Sequence, residues 1–283
     1  MRAMKTYLTL LVLLGYPLVG GAQTLSPPDT VLIRSGDLTL TALLWRPAGP
    51  SPAPAVFFNH GSWPTNNPSG RQAHEIFDQA GALGPVFARH GYVFLFLFRR
   101  GVGLSTGQGT NAADLLDHEM ASGGRPARNR VQLELLQTTE LHDAQAGLAF
   151  LRALPGVDPN RIAVAGHSFG GALTLLLAER DSGITAAIDF AGAAGSWDGS
   201  PALRDRLLEA VRLIPAPVLF IHALNDYSIS PGTALAAAMT QVGKPHRLIV
   251  YPAFGTTTSQ GHNLVDLDTG AWEADVFSFL AGS

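Results

Sequence analysis

The chain has 283 residues, 46% of them hydrophobic and 14% charged, with a formal net charge of −3 and no cysteine. That size and apolar content suit one large domain with a substantial core. The mildly acidic balance, with no basic run, speaks against nucleic acid as a partner, and the lack of cysteine rules out a disulfide scaffold, a thiolate nucleophile and a cysteine-ligated metal site.

Arg2 and Lys5 precede an apolar run over residues 7–15, and Gly20-Gly21-Ala22 supplies small residues before Gln23. A basic start, a short apolar core and a small-residue end predict a secretory signal peptide over residues 1–22. Residues 23–283 would then form a single domain in a secreted or periplasmic protein. The apolar run is short for a membrane span, so a retained anchor is the alternative and stable insertion after cleavage is not expected.

Strand-like and helix-like segments alternate from about residue 31 onward, which predicts an α/β domain. Residues 31–34 and 38–45, joined by Ser35-Gly36-Asp37, read as an antiparallel opening hairpin. Residues 55–59 and 92–98 are continuous apolar runs, as strands buried on both faces should be. Further strands are expected at 161–165, 186–190, 218–222 and 247–251. Helices are expected at 83–89, 131–154, 171–180, 201–213, 231–242 and 270–280. The sum is a mostly parallel sheet of about eight strands with helices on both faces. The glycine-rich stretch 101–130 is longer than a simple connection requires, and reads as a small cap or a mobile loop. No internal repeat or dividing linker is visible.

One strand runs into Gly166-His167-Ser168-Phe169-Gly170-Gly171. This is the G-x-S-x-G pattern of a nucleophile elbow, a sharp strand-to-helix turn that raises a serine hydroxyl above the sheet. Ser168 would stand at a helix N-terminus, where N–H groups and the helix dipole favour developing negative charge. A serine hydroxyl needs a base, and the base needs an acid to orient it. His262 lies in the polar loop after the last strand, just before the terminal helix, and is the expected base. Asp226 follows the strand at 218–222, where a carboxylate can face the crevice at the strand ends. Asp189, inside the preceding strand, is the rival and reads as structural.

Two N–H donors are needed for an oxyanion, and Phe169 and Ser62 are placed to provide them. His60, in Asn59-His60-Gly61-Ser62, is expected to hold that loop rather than transfer protons. The remaining histidines, His222 among them, are read as structural. Trp63 and Trp197 could wall a substrate pocket, although Trp197 could equally be packing. No cluster has metal-ligand spacing and no phosphate-cradling glycine loop follows the first strand, so neither metal nor cofactor is expected.

The elbow, the segment Arg99-Arg100-Gly101-Val102-Gly103-Leu104-Ser105 and the segment Leu224-Asn225-Asp226 resemble the α/β-hydrolase superfamily over nearly the whole region after residue 22. Within it, they resemble the dienelactone hydrolase-like group and the catalytic domains of prolyl oligopeptidase-type enzymes. The resemblance implies an α/β-hydrolase fold and a nucleophile, acid and base in the order Ser168, Asp226, His262. It departs from dienelactone hydrolases proper in having serine where they have cysteine, and from oligopeptidases in lacking room for their N-terminal propeller. The expected activity is hydrolysis of a small-molecule ester or short acyl substrate by a serine hydrolase. A serine peptidase or amidase with the same machinery, and a non-catalytic binding protein on this fold, are the alternatives.

Overall fold

A computed structural model describes residues 26–63 and 72–282. The segment read as a signal peptide lies outside the described residues.

Strands β1 (Asp29–Ser35) and β2 (Leu38–Trp45) form the expected hairpin, turning at Gly36 with φ 57°. Next come β3 (Ala53–Asn59), α1 (Gln72–Arg89), β4 (Val93–Leu97), α2 (Ala112–Gln137), α3 (Thr139–Ala153) and β5 (Val157–His167). The second half alternates regularly: α4 (Phe169–Arg180), β6 (Ile184–Phe190), α5 (Pro201–Leu213), β7 (Val218–Ala223), α6 (Ser230–Gln241) and β8 (His246–Tyr251). Two short helices, α7 (Thr258–His262) and α8 (Leu264–Leu267), lead into α9 (Thr269–Ala281).

The eight strands form one sheet in the order β1-β2-β4-β3-β5-β6-β7-β8. The pairs β1–β2 and β2–β4 are antiparallel and the rest parallel. The central strands are apolar on both faces because both faces are covered. Along β4, Val93, Leu95 and Leu97 enter the core beneath α2 to α6, while Phe94 and Phe96 enter the opposite core with α1 and α9. That second core is aromatic: Phe87 stacks on Phe94 at 4.8 Å and Phe58 on Phe96 at 5.5 Å.

Three expectations are corrected. Residues 131–154 are not one helix, since Thr138 (φ −124°, ψ −100°) divides α2 from α3. Nor is 101–130 irregular throughout: α2 begins at Ala112, and Asn111 caps it by accepting hydrogen bonds from the Ala113 and Asp114 amides. The glycine and proline signals there mark a break inside the helix, at Gly124 (φ 66°, ψ −167°) before Pro126. In addition, α1 is far longer than the predicted 83–89 and accommodates Pro85 in its interior. Among the described residues, no helix is long and apolar enough to cross a membrane.

Candidate active site

Parallel pairing of β3, β5, β6 and β7 brings their C-terminal ends to one edge of the sheet, where a crevice in an open α/β fold belongs. At the end of β5 the chain turns through Ser168 with φ 56° and ψ −116° and enters α4 immediately. Such a conformation in a non-glycine residue is held only when its surroundings over-determine it. Here the Ser168 amide donates to the Phe190 carbonyl at 2.9 Å, and its carbonyl accepts from Ala172 at 3.2 Å. The flanking glycines are required by close approach. A Cβ on Gly166 would lie 2.2 Å from the Gly170 carbonyl oxygen, and one on Gly170 would lie 2.0 Å from that of Asn59.

Ser168, His262 and Asp226 meet in one hydrogen-bonded line. Ser168 Oγ lies 2.9 Å from His262 Nε2, and His262 Nδ1 lies 2.7 Å from Asp226 Oδ1. An ionised Asp226 accepts at Nδ1, which leaves Nε2 as the lone pair facing the hydroxyl. Burial alone would raise the Asp226 pKa. Hydrogen bonds from His222 and His262 outweigh it and bring the pKa down to about 2. The line can therefore take a proton from Ser168 onto His262 while Asp226 stays charged.

His262 is held from a second side. His167 Nε2–H donates to the His262 carbonyl at 2.9 Å, and Gln79 bridges from His167 to Asp266. Burial first, and the neighbouring His262 second, lower the His167 pKa to about 3, so this imidazole is neutral. Tyr227 is 54% exposed and packs its ring edge-on to His262 at 4.7 Å.

The loop after β3 lies against the elbow: a Cβ on Gly61 would be 3.4 Å from Ser168 Cβ. Ser62 follows Gly61 in that loop, and Phe169 opens α4 directly after Ser168. His60 holds the loop as expected. Its Nδ1–H donates to the Gly61 carbonyl at 2.7 Å, and its Nε2 accepts from the Arg99 amide at 3.2 Å. Burial, then the Arg99 charge, keep its pKa well below the ordinary histidine value.

The sequence had offered Arg99 only as part of a motif, without a role. In the fold it is 2% exposed, donates Nε–H to Glu140 at 2.6 Å, and donates Nη2–H to the His60 carbonyl at 2.9 Å. The rest of the motif buttresses it: Arg100 pairs with Asp143, and Ser105 Oγ joins the Phe98 carbonyl to the Thr41 amide. A polar side chain directly after a fully apolar strand was the available signal.

Asp189 is fully buried beneath the elbow and outside the hydrogen-bonded line. Neither of its oxygens closes a hydrogen bond, though the Gly192 amide lies near enough to favour the charge. Burial raises its pKa to about 7. Trp197 is 3% exposed and packed into the core beneath α2 to α6, so packing accounts for its ring. Trp63 is half-buried at the edge of the opposite core, its carbonyl held by Asn111. His222, read from the sequence as structural, instead touches Asp226, with Nδ1 2.8 Å from Oδ2. Among the described residues no group of histidine, aspartate or glutamate could hold a metal ion.

The chain is 27% identical over 161 residues to the quorum-quenching protein AidA of Acinetobacter baumannii, covering 57% of this chain and 42% of that protein. It is 32% identical over 160 residues to the polyketide transferase grgF of a Penicillium species, covering 54% of this chain and 47% of that one. The chain thus spans less than half the length of these curated relatives in the matched regions. Among solved structures, a dienelactone hydrolase-like promiscuous phosphotriesterase from metagenomic libraries superposes with a TM-score of 0.59. That match has 20% identity and covers 89% of this chain and 98% of the other. The model of the dienelactone hydrolase family matches residues 40–280, and with the α/β-hydrolase sheet and its elbow already described, the chain belongs to that family.

Proposed function

We propose that this hydrolase-family protein is an exported serine hydrolase that cleaves carboxylic esters of small molecules through an acyl-enzyme. Ser168 Oγ attacks the ester carbonyl while His262 Nε2 takes its proton. Asp226 holds the imidazole with its proton on Nδ1 and stabilises the imidazolium as it forms. The oxyanion accepts hydrogen bonds from the Ser62 and Phe169 amides at the N-terminus of α4. The carbon–oxygen bond to the alcohol then breaks, and His262 returns the proton to the departing oxygen. Water repeats the sequence on the acyl-serine, with His262 again as base, and releases the carboxylic acid. Trp63, half-buried at the edge of the core that holds α1 and α9, is the residue offered as a wall for the substrate. Export rests on the residue pattern of the first 22 positions.

The observation that carries this reading is the unbroken line Ser168–His262–Asp226, at 2.9 and 2.7 Å, starting from a serine with φ 56°. A fluorophosphonate probe should label Ser168 alone, and Ser168→Ala should lose both the label and turnover of p-nitrophenyl esters while staying folded. Running those esters beside aminoacyl-anilides separates esterase from peptidase. Labelling of another serine, or full turnover by Ser168→Ala, would overturn the assignment.

A further inference from the structure

Behind Asp226, on the side away from His262, stands a second imidazole. His222 on β7 places Nδ1 2.8 Å from Asp226 Oδ2, and both side chains are fully buried. The other oxygen, Oδ1, takes His262 Nδ1–H at 2.7 Å and the Tyr227 amide at 2.6 Å. The carboxylate is therefore gripped by donors at both oxygens, with no exposed face at which water could replace one. His222 is itself fixed: a Cβ on Gly232 of α6 would lie 2.7 Å from its Nε2. That Nε2 is buried and has no partner. The proton must then sit on Nδ1, because a proton on Nε2 would leave a buried N–H with no acceptor and Asp226 Oδ2 with no donor.

We infer that His222 is a positioning residue for the nucleophilic site: its Nδ1–H locks the Asp226 carboxylate from behind, so that Oδ1 faces His262. The inference rests on the serine-hydrolase reading above. Without that donor, one carboxylate oxygen is left buried and unsatisfied, and the side chain is free to turn. The charge no longer shared with His222 also acts more fully on His262 and favours its protonated form. Asp226 itself becomes easier to protonate. Both effects move the acid limb of kcat/KM to higher pH. The ionisable groups around His222 are Asp226, Asp189 on the adjacent strand β6 and His262. His167 and Asp266 act on His262 in turn, and α6 contributes no charged side chain.

The test compares kcat, KM and the pH profile on p-nitrophenyl butyrate for the wild type, His222→Leu and His222→Asn. The asparagine amide can stand where Nδ1–H stood, and leucine cannot donate. His222→Leu should lower kcat about 10- to 100-fold, the range for losing one hydrogen bond to a charged group, with KM little changed and the acid limb moved up. His222→Asn should recover most of kcat and return the limb towards its wild-type position. Unchanged kcat and limb in His222→Leu, or equal losses in both variants with the limb unmoved, would overturn the inference in favour of simple packing. Wild-type labelling at Ser168 by a fluorophosphonate is measured alongside. Its failure would overturn the serine-hydrolase reading itself, whatever the His222 variants do.

Discussion

Arg99 offers the sharpest separation of stability from chemistry. Its guanidinium is 2% exposed, as is its partner Glu140, and it also holds the His60 carbonyl at 2.9 Å in the loop that carries the proposed oxyanion donor Ser62. Arg99→Met removes one member of a buried ion pair and strands Glu140, which should destabilise by about 3–5 kcal/mol. For a domain of this size that is a fall in Tm of about 6–20 °C. Replacing both partners, in Arg99→Met/Glu140→Leu, removes the stranded charge. Apolar replacement of a buried pair is often neutral or better, so what remains is the loss of the donor to the His60 carbonyl, about 1–3 kcal/mol. The double variant should therefore regain much of the lost Tm. Its kcat should not recover. A loop without its clamp no longer aims the Ser62 amide, and losing an oxyanion donor outright costs about 10²–10³ in kcat. Differential scanning calorimetry and ester turnover on the same preparations check both halves. A double variant with wild-type kcat would refute the idea that Arg99 aligns the loop, and one as unstable as Arg99→Met would refute the stranded charge.

Other substitutions test the remaining elements. Asp226→Asn should stay folded yet lose roughly 10⁴ in kcat, since the amide supports the wrong imidazole tautomer. Asp189→Asn should leave kcat within about tenfold, because Asp189 stands outside the hydrogen-bonded line. Asp189→Asn should also change the stability profile, followed by denaturant titration from pH 4 to 8. A carboxyl with a folded pKa of about 7 stabilises fully below its unfolded pKa, about 3.9, and loses that contribution as pH rises through 7. The asparagine variant should thus be the more stable protein at pH 8, with a flatter profile, and equal slopes would contradict the burial argument. Asp226 has the opposite sign: its contribution is present above pH 4 and fades as pH falls towards 2. Finally, Gly170→Ala should fail to yield folded protein by circular dichroism, because its methyl would lie 2.0 Å from the Asn59 carbonyl oxygen.

Much of this protein was legible in its residues because the signals were local. The runs Ala-Val-Phe-Phe-Asn and Val-Phe-Leu-Phe-Leu could only be strands covered on both sides, and Gly-His-Ser-Phe-Gly could be read as a turn from its own spacing: a Cβ on Gly166 would meet Gly170 four residues on, although one on Gly170 would meet Asn59 at the end of β3. The places of Asp226 and His262 followed from where the strands end. What sequence left open depends on contacts between distant segments. Gly123, Gly124 and Pro126 look the same whether they open a loop or merely break a helix, and only the packing of α2 against its neighbours chose the helix. His222 looked like any polar residue in an apolar strand, and its meaning lies in a carboxylate four positions on that is simultaneously tied to α7. Arg99 became intelligible only once Glu140, on a helix 41 residues away, stood 2.6 Å from it under the β3 loop. Local sterics and burial periodicity are written along the chain. The partners of a buried charge are decided by the fold, because a charge taken out of water is tolerated only where the tertiary structure delivers its counter-charge and donors to one point.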